Sequence, residues 1–157
     1  DTLFIAMLLN SDEEAVGRLL KHPRSNITLS DAGAHLTFFN DAGYGLYMLE
    51  KWVREKNLMS KEKAIYNLTG KQADIYRIDQ RGRLVPGQYA DMMLIDFDKV
   101  GVSKTYRVND LPGGSSRLNI DGHGIHSVWI NGEKVFSENS IINKKILPGK
   151  VLRGFHA

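Results

Sequence analysis

The stretch Asn26-Ile27-Thr28-Leu29-Ser30-Asp31-Ala32-Gly33-Ala34-His35 decides how this chain is read. It opens on a short β-prone run and continues into small and polar residues that carry an acid and a nearby histidine. Upstream, Ala15, Val16, Leu19 and Leu20 form one apolar stripe at helical spacing, and Pro23 stops the helix. Asn10 or Ser11 is predicted to cap that helix, which starts near Asp12, since Ser11 and Glu14 have capping-box spacing. Helix, strand near residues 26–30, then an acid at the strand end is the order of one unit of an α/β barrel. Such barrels keep their chemistry at the C-terminal ends of their strands.

Downstream, the pattern predicts a helix from about Ala42 to Lys56, with Leu46, Leu49, Trp52 and Val53 on one face. Another runs from Ser60 to about Leu68, burying Ala64, Ile65 and Leu68, with Gly70 as terminator and one further turn at Ala73, Ile75 and Tyr76. The texture changes at Gly82. Pro86-Gly87 marks a turn, Ala90 to Phe97 reads as a buried strand, and residues 98–123 read as a long irregular excursion. Ser127 to Ile130 and Glu133 to Phe136 flank Asn131-Gly132, which predicts a type I′ hairpin. Pro148-Gly149 precedes a short end strand, Val151-Leu152. The reading is an α/β region over residues 1–78 and a β-rich region over residues 79–157. A few strands with apolar faces need a covering layer. The chain is therefore expected to pair with a copy of itself or to lack a preceding segment.

At 157 residues the chain is one ordinary domain or two small lobes, and 42% hydrophobic content supports a core. A complete eight-stranded barrel needs roughly 250 residues, so only part of one fits. Cysteine is absent, which excludes a disulfide scaffold, a thiolate zinc site and a cysteine nucleophile, and fits a reducing, cytoplasmic setting. The net charge of +3 comes from interspersed signs. The densest basic spots are Lys144-Lys145 and the stretch with Arg77, Arg81 and Arg83; neither forms the basic, aromatic-interleaved tract of a nucleic-acid binder. No apolar run approaches the ~20 residues that span a bilayer, so no membrane partner is expected. The chain opens at Asp1, which reads as a processed or truncated piece.

Asp31 with His35 is the constellation of interest, and two readings stand. In one, Asp31 caps a local turn and His35 makes an ordinary hydrogen bond. In the other, Asp31 at a strand end holds a divalent metal, or takes a proton from metal-bound water. His22 lies on the helix-to-strand connection, His123 and His126 border a late strand, and His156 sits in the tail; these read as surface or core groups. Trp52 and Trp129 read as packing residues, and Asp91 and Asp96 as makers of local polar contacts. Gly113-Gly114 lacks the context of a phosphate loop, and nothing assigns a task to Arg107 or Asp110.

The run from Asn26 to His35, with Asp41-Ala42-Gly43-Tyr44 after it, resembles the N-acyl-D-amino-acid deacylases (D-aminoacylases) of the amidohydrolase superfamily. The resemblance continues through Trp52 to Lys56 and Ser60 to Thr69. It is strongest at Arg81-Gly82-Arg83-Leu84-Val85-Pro86-Gly87 with Ala90-Asp91, and it extends to Val128-Trp129-Ile130-Asn131-Gly132 and Leu147 to Leu152. It implies a fold: the C-terminal part of a TIM-like α/β barrel plus part of a small composite β-sandwich. It implies an activity: zinc-dependent hydrolysis of the N-acyl amide of a D-amino acid, with Asp31 as the proton-transferring aspartate and possible metal ligand, and His35 close to substrate. The family's His-X-His pair, metal-binding cysteine and mid-barrel histidines have no counterpart here. The isolated chain is therefore expected to be inactive and to bind no zinc tightly. Two alternatives stay open: a non-catalytic self-association module, and part of a hydantoinase-like or dihydroorotase-like cyclic amidohydrolase.

Overall fold

The carboxylate of Asp12 opens α1 (Glu13–Lys21) by accepting the Ala15 N–H at 3.0 Å. The cap thus sits one residue beyond the Asn10 or Ser11 predicted, because Asp12 itself has the extended backbone and short acidic side chain that a cap requires. Glu13 and Glu14 in the first turn and Arg18 and Lys21 in the last complement the helix dipole. These details come from a computed structural model, which describes residues 9–28, 30–138, 140–142, 145 and 147–153.

The second helical stretch begins as α2 (Tyr44–Tyr47) and widens into a π-helix, Met48–Glu55. The Lys56 N–H reaches back five residues to the Lys51 carbonyl at 3.0 Å. α3 (Lys61–Leu68) is capped by Ser60, whose hydroxyl accepts from the Lys63 N–H at 3.2 Å. Gly70 does not terminate a helix as predicted. Thr69, at φ −129° and ψ −83°, breaks the direction, and Gly70 starts α4 (Gly70–Tyr76). A Cβ on Gly70 would lie 3.0 Å from the Tyr66 ring, so the close approach of the two helices asks for glycine there.

The β part is a four-stranded antiparallel sheet built from β1 (Met92–Ile95), β6 (Ile125–Ile130), β7 (Glu133–Ser137) and β8 (Ser140–Ile141), in that spatial order. Asn131 and Gly132 both have positive φ, 51° and 82°, as a type I′ turn between β6 and β7 demands. Residues 98–123, read from sequence as irregular, form a two-stranded arm instead. β2 (Gly101–Val102) pairs with β5 (Gly122–His123), and β3 (Tyr106–Val108) pairs with β4 (Arg117–Asn119) further out. The Asp121 carbonyl accepts the Ser103 N–H at 2.8 Å, which bridges the two paired segments. Single-sequence alternation misses the arm because its strands are two or three residues long.

Other expectations are corrected. The described residues of the run near 26–30 carry no strand pairing, and Leu29 lies outside the described residues. β propensity alone does not make a strand where no neighbouring strand offers a ladder. Likewise Val151-Leu152 forms no strand. The stretch Ala90 to Phe97 is shorter as a strand and not buried: Met93 is 44% and Leu94 54% exposed, and as successive strand residues they point to opposite faces, so both sides of β1 are partly open to solvent. Among the described residues the elements make a small mixed α/β fold and close no barrel. No described helix is long and apolar enough to cross a membrane.

The core joins the helical and β parts. Met48, Leu49, Val53 and Ala64 pack with Val100, which is fully buried, and Leu20, Ile27, Leu46, Trp52, Ile95 and Phe97 surround them. Arg54 donates to the carbonyls of Phe97 at 3.0 Å and Val100 at 2.6 Å, so the chain entering the arm is fixed to the π-helix. Gly124 permits this packing: its φ is +71°, and a Cβ there would lie 2.4 Å from the Val100 nitrogen. Gly124→Ala is expected to lower unfolding stability by well over 1 kcal/mol, read by urea denaturation, because both the positive φ and the backbone clash oppose it. A wild-type midpoint would contradict this packing.

Candidate functional site

Asp31 sits in the left-handed region at φ 55°, a conformation that an aspartate tolerates better than most residues. The Ser30 hydroxyl accepts the Ala32 N–H at 3.2 Å, and the Asp31 carbonyl accepts the Ala34 N–H at 3.4 Å. These bonds use Ser30 and the backbone. The Asp31 side chain is exposed and takes no hydrogen bond or ion pair among the described residues. His35, on the same loop, accepts the Phe38 and Phe39 N–H groups on its carbonyl at 3.0 and 2.8 Å, while its ring stacks at 5.0 Å on Phe38. No hydrogen bond joins Asp31 to His35, so the loop presents them as separate groups.

The approach to Asp31 is held by side chains where a barrel strand would have neighbours. Lys71 donates to the carbonyls of Pro23 at 3.0 Å and Ser25 at 2.5 Å. Gln72 donates to Ile27 at 3.2 Å, and the Tyr44 hydroxyl reaches Thr28 at 3.5 Å. On the far side, the Leu36 carbonyl accepts the Leu118 N–H at 2.7 Å, and Asn40 donates to the Leu118 carbonyl at 3.1 Å. Sequence reasoning missed these supports. Lys71, Gln72 and Leu118 lie far along the chain from Asp31, and no local pattern marks a lysine, glutamine or asparagine as a backbone staple.

The Arg81 to Asp91 stretch is a clasp. Arg81 pairs with Asp91, donates to the Asn131 side chain at 2.6 Å and stacks 4.4 Å from the Tyr89 ring. Asp91 also accepts the Asn131 N–H at 2.7 Å. Asp91 thus adds to its contact with Arg81 one to Asn131, well beyond the local contacts expected, and fastens the start of β1 to the hairpin turn. Arg83 pairs with Asp74 at 2.6 Å, and the Tyr66 hydroxyl donates to the same carboxylate at 3.1 Å. The hydrogen bond from the Arg83 guanidinium holds the Asp74 carboxyl below its usual range, with the Tyr66 hydroxyl acting in the same direction.

The remaining histidines stand apart. The His22 ring accepts the Arg24 N–H at 3.2 Å, His123 and His126 are exposed on β5 and β6, and His156 lies outside the described residues. Among the described residues no group of three or more His, Cys, Asp or Glu side chains could hold a metal ion. A protein zinc site uses three or four ligands, so Asp31 with its present neighbours does not fit one.

Comparison with known proteins gives a consistent neighbourhood. The profile of the amidohydrolase family matches residues 5–136. An N-acyl-D-aspartate deacylase of Alcaligenes xylosoxydans xylosoxydans is 31% identical over 90% of this chain and 26% of its own length. An N-acyl-D-glutamate deacylase of the same organism is 30% identical over 94% of this chain and 28% of its own. Among solved structures, the N-acyl-D-glutamate deacylase from Bordetella bronchiseptica, complexed with zinc and a phosphonate mimic of the tetrahedral intermediate, matches with a TM-score of 0.59. That match has 30% identity over 80% of this chain and 25% of the other. A D-aminoacylase structure matches with a TM-score of 0.51 and 27% identity, over 65% of this chain and 20% of the other. The chain spans about a quarter of the length of these two curated relatives.

Two outcomes follow from the geometry. Asp31→Asn is expected to change unfolding free energy by no more than about 0.5 kcal/mol, because the carboxylate has no partner to lose and asparagine accepts positive φ; a loss of several times that by denaturant titration would mean the carboxylate is structural. The Asp74 contribution runs with pH in a set direction. Its folded pKa is lowered, so its stabilisation is complete above the ordinary carboxylate value of about 3.9 and is lost as pH falls through the lower folded value. Melting curves of the wild type and Asp74→Asn are expected to differ slightly at neutral pH, the pair being exposed, and to converge towards about pH 2. A gap that widens on acidification would reverse the assignment.

Proposed function

The chain belongs to the amidohydrolase family, and from that premise we propose that it is the C-terminal part of a zinc-dependent enzyme that deacylates N-acyl-D-amino acids. In this reading residues 1–78 complete the barrel and residues 79–157 contribute to a small β-sandwich. The observation that carries it is the Asp31 carboxylate, exposed and unengaged on a loop that is fastened from both sides. A carboxylate whose partners are all ligands is free to exchange protons with them; one held in an ion pair is not. Asp31 takes a proton from the attacking water and returns one to the leaving nitrogen. The amide C–N bond breaks, a C–O bond forms, and the products are a carboxylate and the free D-amino acid. His35 faces the substrate from the same loop. Among the described residues no group of side chains assembles a metal site; in this reading the zinc ligands belong to the rest of the enzyme, and no activity is assigned to this chain alone.

The names of the relatives favour acyclic N-acyl-D-amino acids over cyclic amides. The test is an assay of the full gene product that carries these residues, on N-acetyl derivatives of D- and L-aspartate, glutamate and leucine, and on hydantoin. Release of D-amino acids is expected, and Asp31→Asn should lower kcat about 100- to 10,000-fold, the usual worth of a proton-transferring group. Turnover of hydantoin alone would move the assignment to the cyclic amidohydrolases. Undiminished turnover in the variant would remove Asp31 from the chemistry.

A further inference from the structure

The β-arm, residues 101–123, is fixed at its base and engaged at its tip. At the base, the Glu50 carboxylate on the π-helix accepts the Val102 N–H at 3.0 Å. A Cβ on Gly101 would lie 2.5 Å from that carboxylate, one on Gly43 would lie 2.5 Å from the Val102 side chain, and one on Gly122 would lie 2.6 Å from Leu46. The glycines thus let the base and the helical segment approach closely.

At the tip, the outward-facing edge of β4 meets residues 36–40 as a further strand would. Leu118, itself buried, donates its N–H to the Leu36 carbonyl, and its own carbonyl accepts from the Asn40 side chain and, at 3.3 Å, from Arg117. Arg107, opposite Leu118 in the ladder, donates to the Thr37 carbonyl at 3.3 Å. Asn40 closes the loop by accepting the Ala42 N–H on its other atom at 3.2 Å, which puts both ends of one amide to use. Arg117 stiffens the tip through a two-pronged pair with Asp110 at 2.6 and 2.7 Å.

Resting on the deacylase reading above, we propose that this arm is the positioning device of the Asp31 loop, with Asn40 and Arg107 as its positioning residues. The loop runs from Asp31 to Asn40 without regular structure, and its far end is tied to a rigid element anchored on the π-helix rather than to a barrel neighbour. The arm thereby determines where the Asp31 carboxylate stands relative to whatever binds over it.

The test has two parts. Hydrogen exchange on this chain reads the contact itself. The Leu118 amide is expected to exchange slowly, and Asn40→Asp, which removes the donor and sets a carboxylate against the Leu118 carbonyl, should speed exchange at Leu118, Phe38 and Phe39 about tenfold. Arg107→Gln, an exposed change that spares the fold, should do so more weakly. Unprotected Leu118 in the wild type, or unchanged exchange in both variants, would overturn the proposal. Steady-state kinetics of the full gene product then reads positioning: Asn40→Asp should lower kcat about ten- to a hundred-fold with KM within about twofold, as small misplacement of a reacting group does. Faster loop exchange with unchanged kcat would also overturn it. A wild type that hydrolyses no N-acyl-D-amino acid would defeat the deacylase reading separately, and would take the catalytic meaning of the arm with it while the exchange result stands on its own.

Discussion

The contact between the π-helix and the start of the β-arm is the constraint on which the other features rest. Glu50 accepts the Val102 N–H, Arg54 donates to the Phe97 and Val100 carbonyls, and Gly101, Gly122 and Gly124 let backbone approach where a side chain would collide. Val100 is fully buried at this junction and belongs to the same core as Met48 and Leu49. Widening the helix to five-residue hydrogen bonding alters which side chains face the arm, and π-type turns recur where a helix must present a particular residue. Without this junction the arm would be an isolated two-stranded ribbon, which is marginal in water.

The loop of Asp31 inherits its placement from that junction on one side and from α4 on the other. Lys71 and Gln72 act on the carbonyls of residues 23–27 where a barrel would place a parallel strand. Side-chain donors of this kind contribute on the order of 1 kcal/mol each, and the Arg24 and Ser25 N–H groups turn back on His22 rather than to a neighbouring strand. Such a segment is held by side chains, which fits a chain matching only a quarter of its curated relatives. On β1 the sheet likewise leaves apolar side chains in the open, Met93 on one face and Leu94 on the other.

Much of the helical part was legible in the sequence. The apolar stripes of α1 and of Leu46, Leu49 and Val53 are strong periodic signals, and Ser60 is a plain cap. Asn131-Gly132 marked its turn because few other residue pairs take two successive positive φ values easily. The arm was not legible, since its strands are too short for alternation to register and its partners lie across the chain. The run near residue 26 misled for the opposite reason: its composition is that of a strand, but pairing is a property of neighbours. At the site, Asp31 stood out by its place after that run, whereas Asn40, Lys71, Gln72 and Arg107 act through backbone carbonyls that no spacing rule anticipates.

The proposed function divides the catalytic centre: in it this chain would bring the Asp31 carboxylate and its supports, and metal coordination would come from elsewhere. Elemental mass spectrometry of the purified chain, after zinc loading and dialysis against metal-free buffer, tests that division most directly. The account predicts zinc far below stoichiometric, because a lone carboxylate cannot supply the three or four ligands of a tight site. Retention of about one zinc per chain would contradict it, since the histidines assigned here to the surface would then have to be ligands.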